Sequence, residues 1–400
     1  MKGQQTAGRL TTLILSLVTL LLVSRGVFAS LPGNAKSIQV GAQRSALYLA
    51  SLRGKRVGLV VNQTSRVGKQ HLVDYLLMEK INVQRVFAPE HGFRGDHDAG
   101  AQVDSEIDAQ TGIPITSIYG QFKQPPQDMM AQLDVVLFDI QDVGVRFYTY
   151  ISSMHYMMQV AAQGGVRFIV LDRPNPNGRF VDGPVLKDEF RSFVGMHPIP
   201  VLHGMTVAEL ARMIKGEKWI KYADDLELIT VPVANYSRNM AYSLPVAPSP
   251  NLPNAQAIEL YPSLCFFEAT AFSVGRGTDF PFQVLGHDKV FLGDFSFSPT
   301  SRPGSAVHPK LQGKKLKGLD LRNSTLQGLD LSLLIKAYEQ FNKKEQIFFS
   351  RPDFMDKLAG TDQLRLAIEA GRSEQHIRQS WQGALQKFRQ QRQPYLLYPD

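Results

Sequence analysis

A single cysteine, Cys265, in 400 residues excludes an intramolecular disulfide, so the fold rests on burial rather than on cross-links. Zinc and redox signatures are missing as well. There is no CxxC and no HExxH, and the loop holding His91, Asp96, His97 and Asp98 has no second histidine cluster near it in sequence. Nucleotide cofactors lack their fingerprints: no GxGxxG opens the first βα turn, and Gly275-Arg276-Gly277 is not followed by the Lys-Ser/Thr of a phosphate loop. A Gly-x-Ser-x-Gly elbow is absent, which argues against a serine hydrolase. No cofactor and no bound metal are therefore expected. The formal net charge is +8, but Lys and Arg are scattered, denser only in Lys310–Lys317 and Arg378–Arg392. Scattered cations read as solvated faces, or as weak attraction to an anionic cell-wall polymer, and not as a nucleic-acid stripe.

The first residues read as an address. Lys2 and Arg9 precede an apolar run from Leu10 to Val23, and Val27-Phe28-Ala29 supplies a cleavage site. The run is shorter than the ~20 residues of a membrane-spanning helix, and no later segment competes as a span. Residues 1–29 are expected to be a signal peptide cleaved near Ala29, with mature protein beginning near Ser30 in the periplasm or outside the cell. What remains exceeds the ~250–300 residues that one core usually supports, so two domains are the default.

From Arg56 onward, short β-branched runs alternate with helix-like stretches, the pattern of a parallel sheet with crossover helices. The expected strands are Arg56–Val61, Val83–Ala88, Ile115–Tyr119, Val135–Ile140 and Arg167–Leu171, with Leu226–Val231 as a sixth. His71–Lys80, Tyr148–Gln163 and Thr206–Lys218 read as helices, the last with Thr206 as N-cap and Glu209 three residues on. Pro245–Pro253 can continue neither helix nor central strand and marks a junction. Beyond it, Leu331–Phe341 and Glu374–Gln391 look helical, and Pro394–Asp400 looks extended. The fold class is α/β: a Rossmann-like parallel sheet with flanking helices over 30–245, and a smaller C-terminal α+β domain over 246–400.

Ligands of open α/β sheets bind outside the carboxyl ends of the strands. Polar groups collect there: Asn62-Gln63, Glu90-His91, Tyr119-Gly120, Asp139-Ile140-Gln141-Asp142 and Asp172-Arg173 follow successive strands. One shared cleft is expected. Glu90, between Pro89 and His91-Gly92, is the sharpest candidate for a general acid, and His91 could donate to it or to a substrate. Arg94 in the same loop is a substrate-binding candidate or a salt-bridge partner for Glu90. Arg146 and Tyr148 are expected at the start of the helix after the fourth strand, where a guanidinium and helix N–H groups suit a carboxylate. Phe147, Tyr148 and Tyr150 offer flat faces for a sugar. The second catalytic group stays open among Asp139, Asp142, Asp172 and Glu268, or a substrate's own acetamido oxygen.

Six strings then stand out: Pro89–Gly95, Phe138–Tyr150, Leu171–Gly178, His203–Thr206, Pro248–Pro253 and Ser273–Thr278. Here the chain resembles the exo-β-N-acetylmuramidase family of peptidoglycan recycling, long catalogued as a domain of unknown function. The resemblance covers most of residues 56–290. It implies a cleft between a Rossmann-like domain and a smaller one, with the Glu of Pro-Glu-His-Gly, here Glu90, as the leading catalytic residue. It implies an exo-acting glycoside hydrolase that releases N-acetylmuramic acid from the non-reducing ends of peptidoglycan fragments. The catalytic set is then Glu90, His91 and Asp139. Asn62, Arg94, Gln141, Arg146, Tyr148, Asp172, Arg173, Asn175, Glu268 and Arg276 form the substrate-binding set. Arg146, Arg173 and Arg276 are candidates for the lactyl carboxylate that distinguishes muramic acid from glucosamine. Past Thr278 the likeness thins: Ser305–Lys314 keeps His308 and Gly313 of a family element but no cysteine. Two other classes remain in view, a muropeptide-binding protein without turnover and a metal-dependent enzyme acting on other acidic sugars.

Overall fold

Near-continuous apolar runs make two-sided strands, and the sheet is buried on both faces. In the computed structural model, Val60, Phe87, Val136, Phe138, Phe168 and Val170 point into one core, while Leu59, Val61, Val86, Leu137, Ile169 and Leu171 point into the other. Burial of each such side chain is worth ~1.5–3 kcal/mol. The structure describes residues 37–93, 106–120 and 122–400. Residues 1–29, Arg94, Asp96, His97 and Asp98, on which expectations above rest, lie outside these.

The main sheet contains β1 (Val57–Val61), β2 (Val83–Ala88), β3 (Glu106–Ile107), β4 (Pro114–Ser117), β5 (Val135–Asp139), β6 (Arg167–Leu171) and β7 (Leu228–Val231). Their spatial order is β3-β4-β2-β1-β5-β6-β7. All neighbours are parallel except β3 against β4. The six expected strands are all present, with ends that shift by up to two residues. Edge strand β3 is only two residues long and has no readable pattern.

Helices α1 (Leu72–Met78), α2 (Tyr150–Gly164) and α3 (Val207–Gly216) pack on the sheet. The capping box of α3 is as expected: Glu209 N–H donates to Thr206 Oγ1, and Thr206 N–H donates to Glu209 Oε2. Helix α2 starts later than its apolar pattern suggests. Arg146 N–H bonds Val201 O and Tyr148 N–H bonds Val145 O, so a turn occupies 145–149. Arg146 and Tyr148 therefore precede the helix and are not in its first turn.

After α4 (Ala255–Leu264) comes a small antiparallel sheet of β8 (Val284–His287), β9 (Phe295–Phe297) and β10 (Leu316–Asp320), ordered β8-β10-β9. Five helices follow: α5 (Ser332–Asn342), α6 (Pro352–Ala359), α7 (Gln363–Glu369), α8 (Glu374–Ser380) and α9 (Gln382–Arg392). The single helix expected over Glu374–Gln391 is thus two, broken at Trp381, whose indole is buried and donates to Asp182. The tail becomes extended at Leu396, after a short turn at Gln393–Tyr395. Residues Ile38–Asp400 form one compact unit, and one hydrophobic cluster runs from the α2 face of the sheet through Phe282, Phe341 and Phe388. Among the described residues, no helix is long and apolar enough to cross a membrane.

Candidate active site

Pro89-Glu90-His91-Gly92 leaves β2 through a tight turn in which Gly92 N–H bonds Pro89 O. His91 adopts a left-handed backbone, φ 70°, and Gly92 follows at φ 78°. A non-glycine residue in that region stores strain, and such strain collects at functional sites. The turn aims Glu90 into a cavity of about 210 Å³ lined also by His91, Tyr119, Tyr148, Thr149 and Tyr150. Ser249, Asn251 and Leu252 of the proline-rich segment form a second wall, and Tyr261, Cys265, Glu268, Arg276, Phe282, Phe354 and Leu358 close the far side. Gln63 Nε2 fastens the proline-rich wall by donating to Ala247 O and Pro248 O.

Both oxygens of Glu90 are held. Tyr119 O–H donates to Oε1 at 2.9 Å and Thr149 O–H donates to Oε2 at 3.0 Å. Burial, then the nearby Glu90 charge, push the Tyr119 phenol above its ordinary range, so it stays a donor. Burial likewise raises the Tyr148 phenol well above its ordinary value, with the Ser249 hydroxyl beside it acting the other way. Tyr148 stands edge-to-face with Tyr150 and Tyr261. Phe147 reaches the lining too, but it is wedged edge-on between Tyr261 and Phe266.

The five strand ends do not share the cleft equally. Only those of β2 and β4 reach it, through Glu90, His91 and Tyr119. At the switch point of the sheet, between β1 and β5, the strand-end groups are engaged with one another. Asn62 Oδ1 accepts from Thr64 N–H and O–H, and Ser65 O–H donates to Asp139 O. Asp139 itself takes both Nε and Nη2 of Arg173, each side chain buried. Gln141 donates to Asp142 O and Pro174 O. Asn175 donates to Met205 O and accepts from Asn177 N–H. Asp172 accepts from Ala208 N–H, Thr206 O–H and Tyr398 O–H, which makes it an anchor for α3 and the tail. Burial pushes Asp172 up to about 7 against those bonds, and does the same to Asp142, whose Oδ2 accepts from Gly144 N–H.

Arg146 departs furthest from expectation. Its guanidinium is buried and, among the described residues, pairs with no carboxylate: Nη1 donates to Pro184 O and Ile199 O, and Nη2 to Leu358 O. Burial pulls its pKa down to about 9. It clamps the end of α6 against the loops beside the sheet, so the cleft wall at Leu358 depends on it. The physical reason is that a turn, not a helix terminus, carries Arg146, and the turn points it inward.

Glu268 and Arg276 do reach the cleft, from the C-terminal part, and pair there with Arg276 Nε to Glu268 Oε1 at 3.0 Å. Burial raises the Glu268 carboxyl, but Arg276 and Lys310 outweigh it and hold the group below its ordinary range. Of the acids weighed for a second catalytic role, Glu268 alone lines the cleft. Thr149, Tyr261 and Phe354 were not anticipated. Thr149 and Tyr261 sit within or near the recognisable strings, whereas Phe354 lies on a helix that carries no motif. Among the described residues, no group of three or more His, Cys, Asp or Glu side chains is placed to hold a metal ion.

Fold and cleft define an α/β protein with a carboxylate-bearing, aromatic-walled ligand site at the carboxyl edge of its sheet. The chain belongs to the exo-β-N-acetylmuramidase NamZ family: residues 57–256 match its N-terminal domain and residues 259–398 its C-terminal domain. Peptidoglycan β-N-acetylmuramidase NamZ of Bacillus subtilis is 38% identical over 372 residues, which cover 88% of this chain and 89% of that protein. A DUF1343 family protein of known crystal structure from Bacteroides fragilis shares the fold at TM-score 0.83 and 42% identity, over 91% of this chain and 99% of the other. A second from the same organism matches at TM-score 0.78 and 27% identity, over 90% of this chain and 99% of that one.

Proposed function

We propose that this glycoside hydrolase removes N-acetylmuramic acid from the non-reducing ends of peptidoglycan fragments, with Glu90 delivering the proton to the departing glycosidic oxygen. The observation that carries the reading is the placement of Glu90 in the cleft, each oxygen fixed by a hydroxyl. Tyr119 and Thr149 orient the carboxyl, and either hydroxyl can rotate to accept when Glu90 carries a proton. His91 lies on the same strained turn, placed to contact the sugar. Tyr148 contributes a buried donor that a sugar hydroxyl or acetamido oxygen can satisfy. A cavity of about 210 Å³ lies below the ~300–1,000 Å³ of common ligand pockets, which suits one terminal sugar better than a length of glycan. Residues 1–29 act as a cleaved signal, which places the mature enzyme in the periplasm or outside the cell, where its substrate lies. The chain divides functionally near residue 245, the two parts contributing opposite walls.

The experiment is hydrolysis of a chromogenic β-N-acetylmuraminide by the purified mature chain, without added metal or nucleotide. Release of the chromophore is expected from wild type, and hydrolysis of an unactivated disaccharide with terminal N-acetylmuramic acid, whose leaving oxygen needs the proton, is expected to be lost in Glu90→Gln. Binding of the sugar without release would make the chain a binding protein, and a requirement for added metal would replace the acid mechanism.

A further inference from the structure

Three arginines were candidates for the acidic part of the substrate, and the structure separates them. Arg146 gives its terminal nitrogens to three carbonyls, and Arg173 is locked to Asp139. Arg276 differs. Its Nε is engaged by Glu268, its guanidinium carbon lies 5.0 Å from the centre of the Phe282 ring, and its side chain keeps 27% exposure where it lines the cleft. Nη1 and Nη2 have no hydrogen-bond partner among the described residues. The guanidinium is thus oriented on one edge and supported on one face. Its terminal pair of nitrogens is free, the geometry that accepts a carboxylate through two parallel bonds.

The surrounding charge favours an incoming anion. Glu268 is the one acid in a group with Arg276, Lys310 and Arg351. Lys310 cannot itself bind the ligand through its hydrogens, because its amine donates to Phe267 O, Glu268 O and Thr270 O, closing the short helical turn Cys265–Ala269. Arg351 stacks over Phe354, 4.2 Å from the ring centre. Three cations around one carboxylate leave an excess of positive charge in a partly dry wall, where a second carboxylate is stabilised.

We propose that Arg276 recognises the lactyl carboxylate of a terminal N-acetylmuramic acid, and that Glu268 is a positioning residue that holds the guanidinium edge-on to the cleft. This rests on the hydrolase reading above and names its selectivity determinant. N-acetylglucosamine lacks the carboxylate and leaves the cation group uncompensated, so it is disfavoured by the site's own charge.

The test uses the mature enzyme with three chromogenic substrates: the β-muraminide, the same sugar with its lactyl carboxylate converted to an amide, and the β-glucosaminide. Arg276→Gln is expected to raise KM for the muraminide about ten- to a hundred-fold, the loss of one charge-assisted contact, while the amide and glucosaminide lose far less. Arg276→Lys keeps the charge without the fork and should fall between, which also covers the case that the Gln variant does not fold. Glu268→Gln should shift KM in the same direction. A collapse of kcat at unchanged KM would instead make Glu268 catalytic and overturn its positioning role. An unchanged muraminide-to-glucosaminide ratio, or parallel loss on all three substrates with a lowered thermal midpoint, overturns the role of Arg276. Calorimetry with free N-acetylmuramic acid and N-acetylglucosamine separates this inference from the hydrolase reading, since it needs no turnover. Wild type must prefer the former and Arg276→Gln must lose the preference; equal affinities in wild type defeat the proposal.

Discussion

Arg173 meets Asp139 through two parallel contacts, Nε to Oδ1 at 2.6 Å and Nη2 to Oδ2 at 2.9 Å, in the crevice where ligands of this fold class usually bind. Both side chains are buried, so removing one partner strands the other's charge away from water. Arg173→Gln or Asp139→Asn should each cost about 3–5 kcal/mol of stability. Urea midpoints measure this, and activity per folded molecule should stay close to wild type. Activity lost at unchanged stability would return the pair to the catalytic machinery.

Arg146 gives a related expectation with a different signature. Replacement by Gln leaves buried carbonyls at Pro184, Ile199 and Leu358 short of donors, at a cost of about 3 kcal/mol. The thermal midpoint should fall while the ratio of muraminide to glucosaminide hydrolysis stays the same. A changed ratio at an unchanged midpoint would show that the guanidinium touches substrate.

Glu90 and Tyr119 can be separated by size of effect. Glu90→Gln should lower kcat by roughly 10²–10⁴-fold with the fold intact. Tyr119→Phe removes one of two hydroxyls that aim the carboxyl and should cost about tenfold. Steady-state kinetics on an unactivated disaccharide checks both, and near wild-type turnover in Glu90→Gln would make Glu90 structural.

Asp142 makes stability depend on pH. Burial raises its folded pKa from 3.8 to about 7, so between these values the unfolded chain gives up a proton that the folded chain keeps. The contribution is fully present below about pH 4 and is lost as pH rises through 7, on the order of 4 kcal/mol. Asp142→Asn should remove it. The difference in unfolding free energy between wild type and variant, measured from pH 4 to pH 8, should shrink or reverse in favour of the variant as pH rises. A flat difference would contradict the burial argument.

The sheet was legible because short, near-continuous β-branched runs report burial on two faces, which is a local property. The capping box at Thr206 and Glu209 is likewise local. Glu90 stood out through its neighbours, since Pro89 and Gly92 demand a turn at a strand end. What sequence could not convey was which strand-end groups face each other. Asp139, Asp172 and Asn175 look as reactive as Glu90 until Arg173, Tyr398 and Met205, some from distant segments, are seen to hold them. Arg146 was misplaced because apolar periodicity ran on past the true start of α2, where backbone bonds to Val201 and Val145 impose a turn. Phe354 lies on a short helix whose place in the cleft depends on packing alone.

The contact between Tyr398 and Asp172 has a consequence for the order in which the molecule can be completed. Asp172 ends a central strand, and Tyr398 O–H is one of its donors; Glu209, at the start of α3, accepts from Leu397 N–H and Tyr398 N–H. These buried acids acquire their last partners from residues made more than 180 positions later. A nascent chain that has finished the sheet still lacks its closing strap, and N-terminal segments otherwise tend to fold first during synthesis. Chains ending at Tyr395 should therefore remain sensitive to protease under conditions where the full-length protein resists, and equal resistance of the two would remove the strap from the folding schedule.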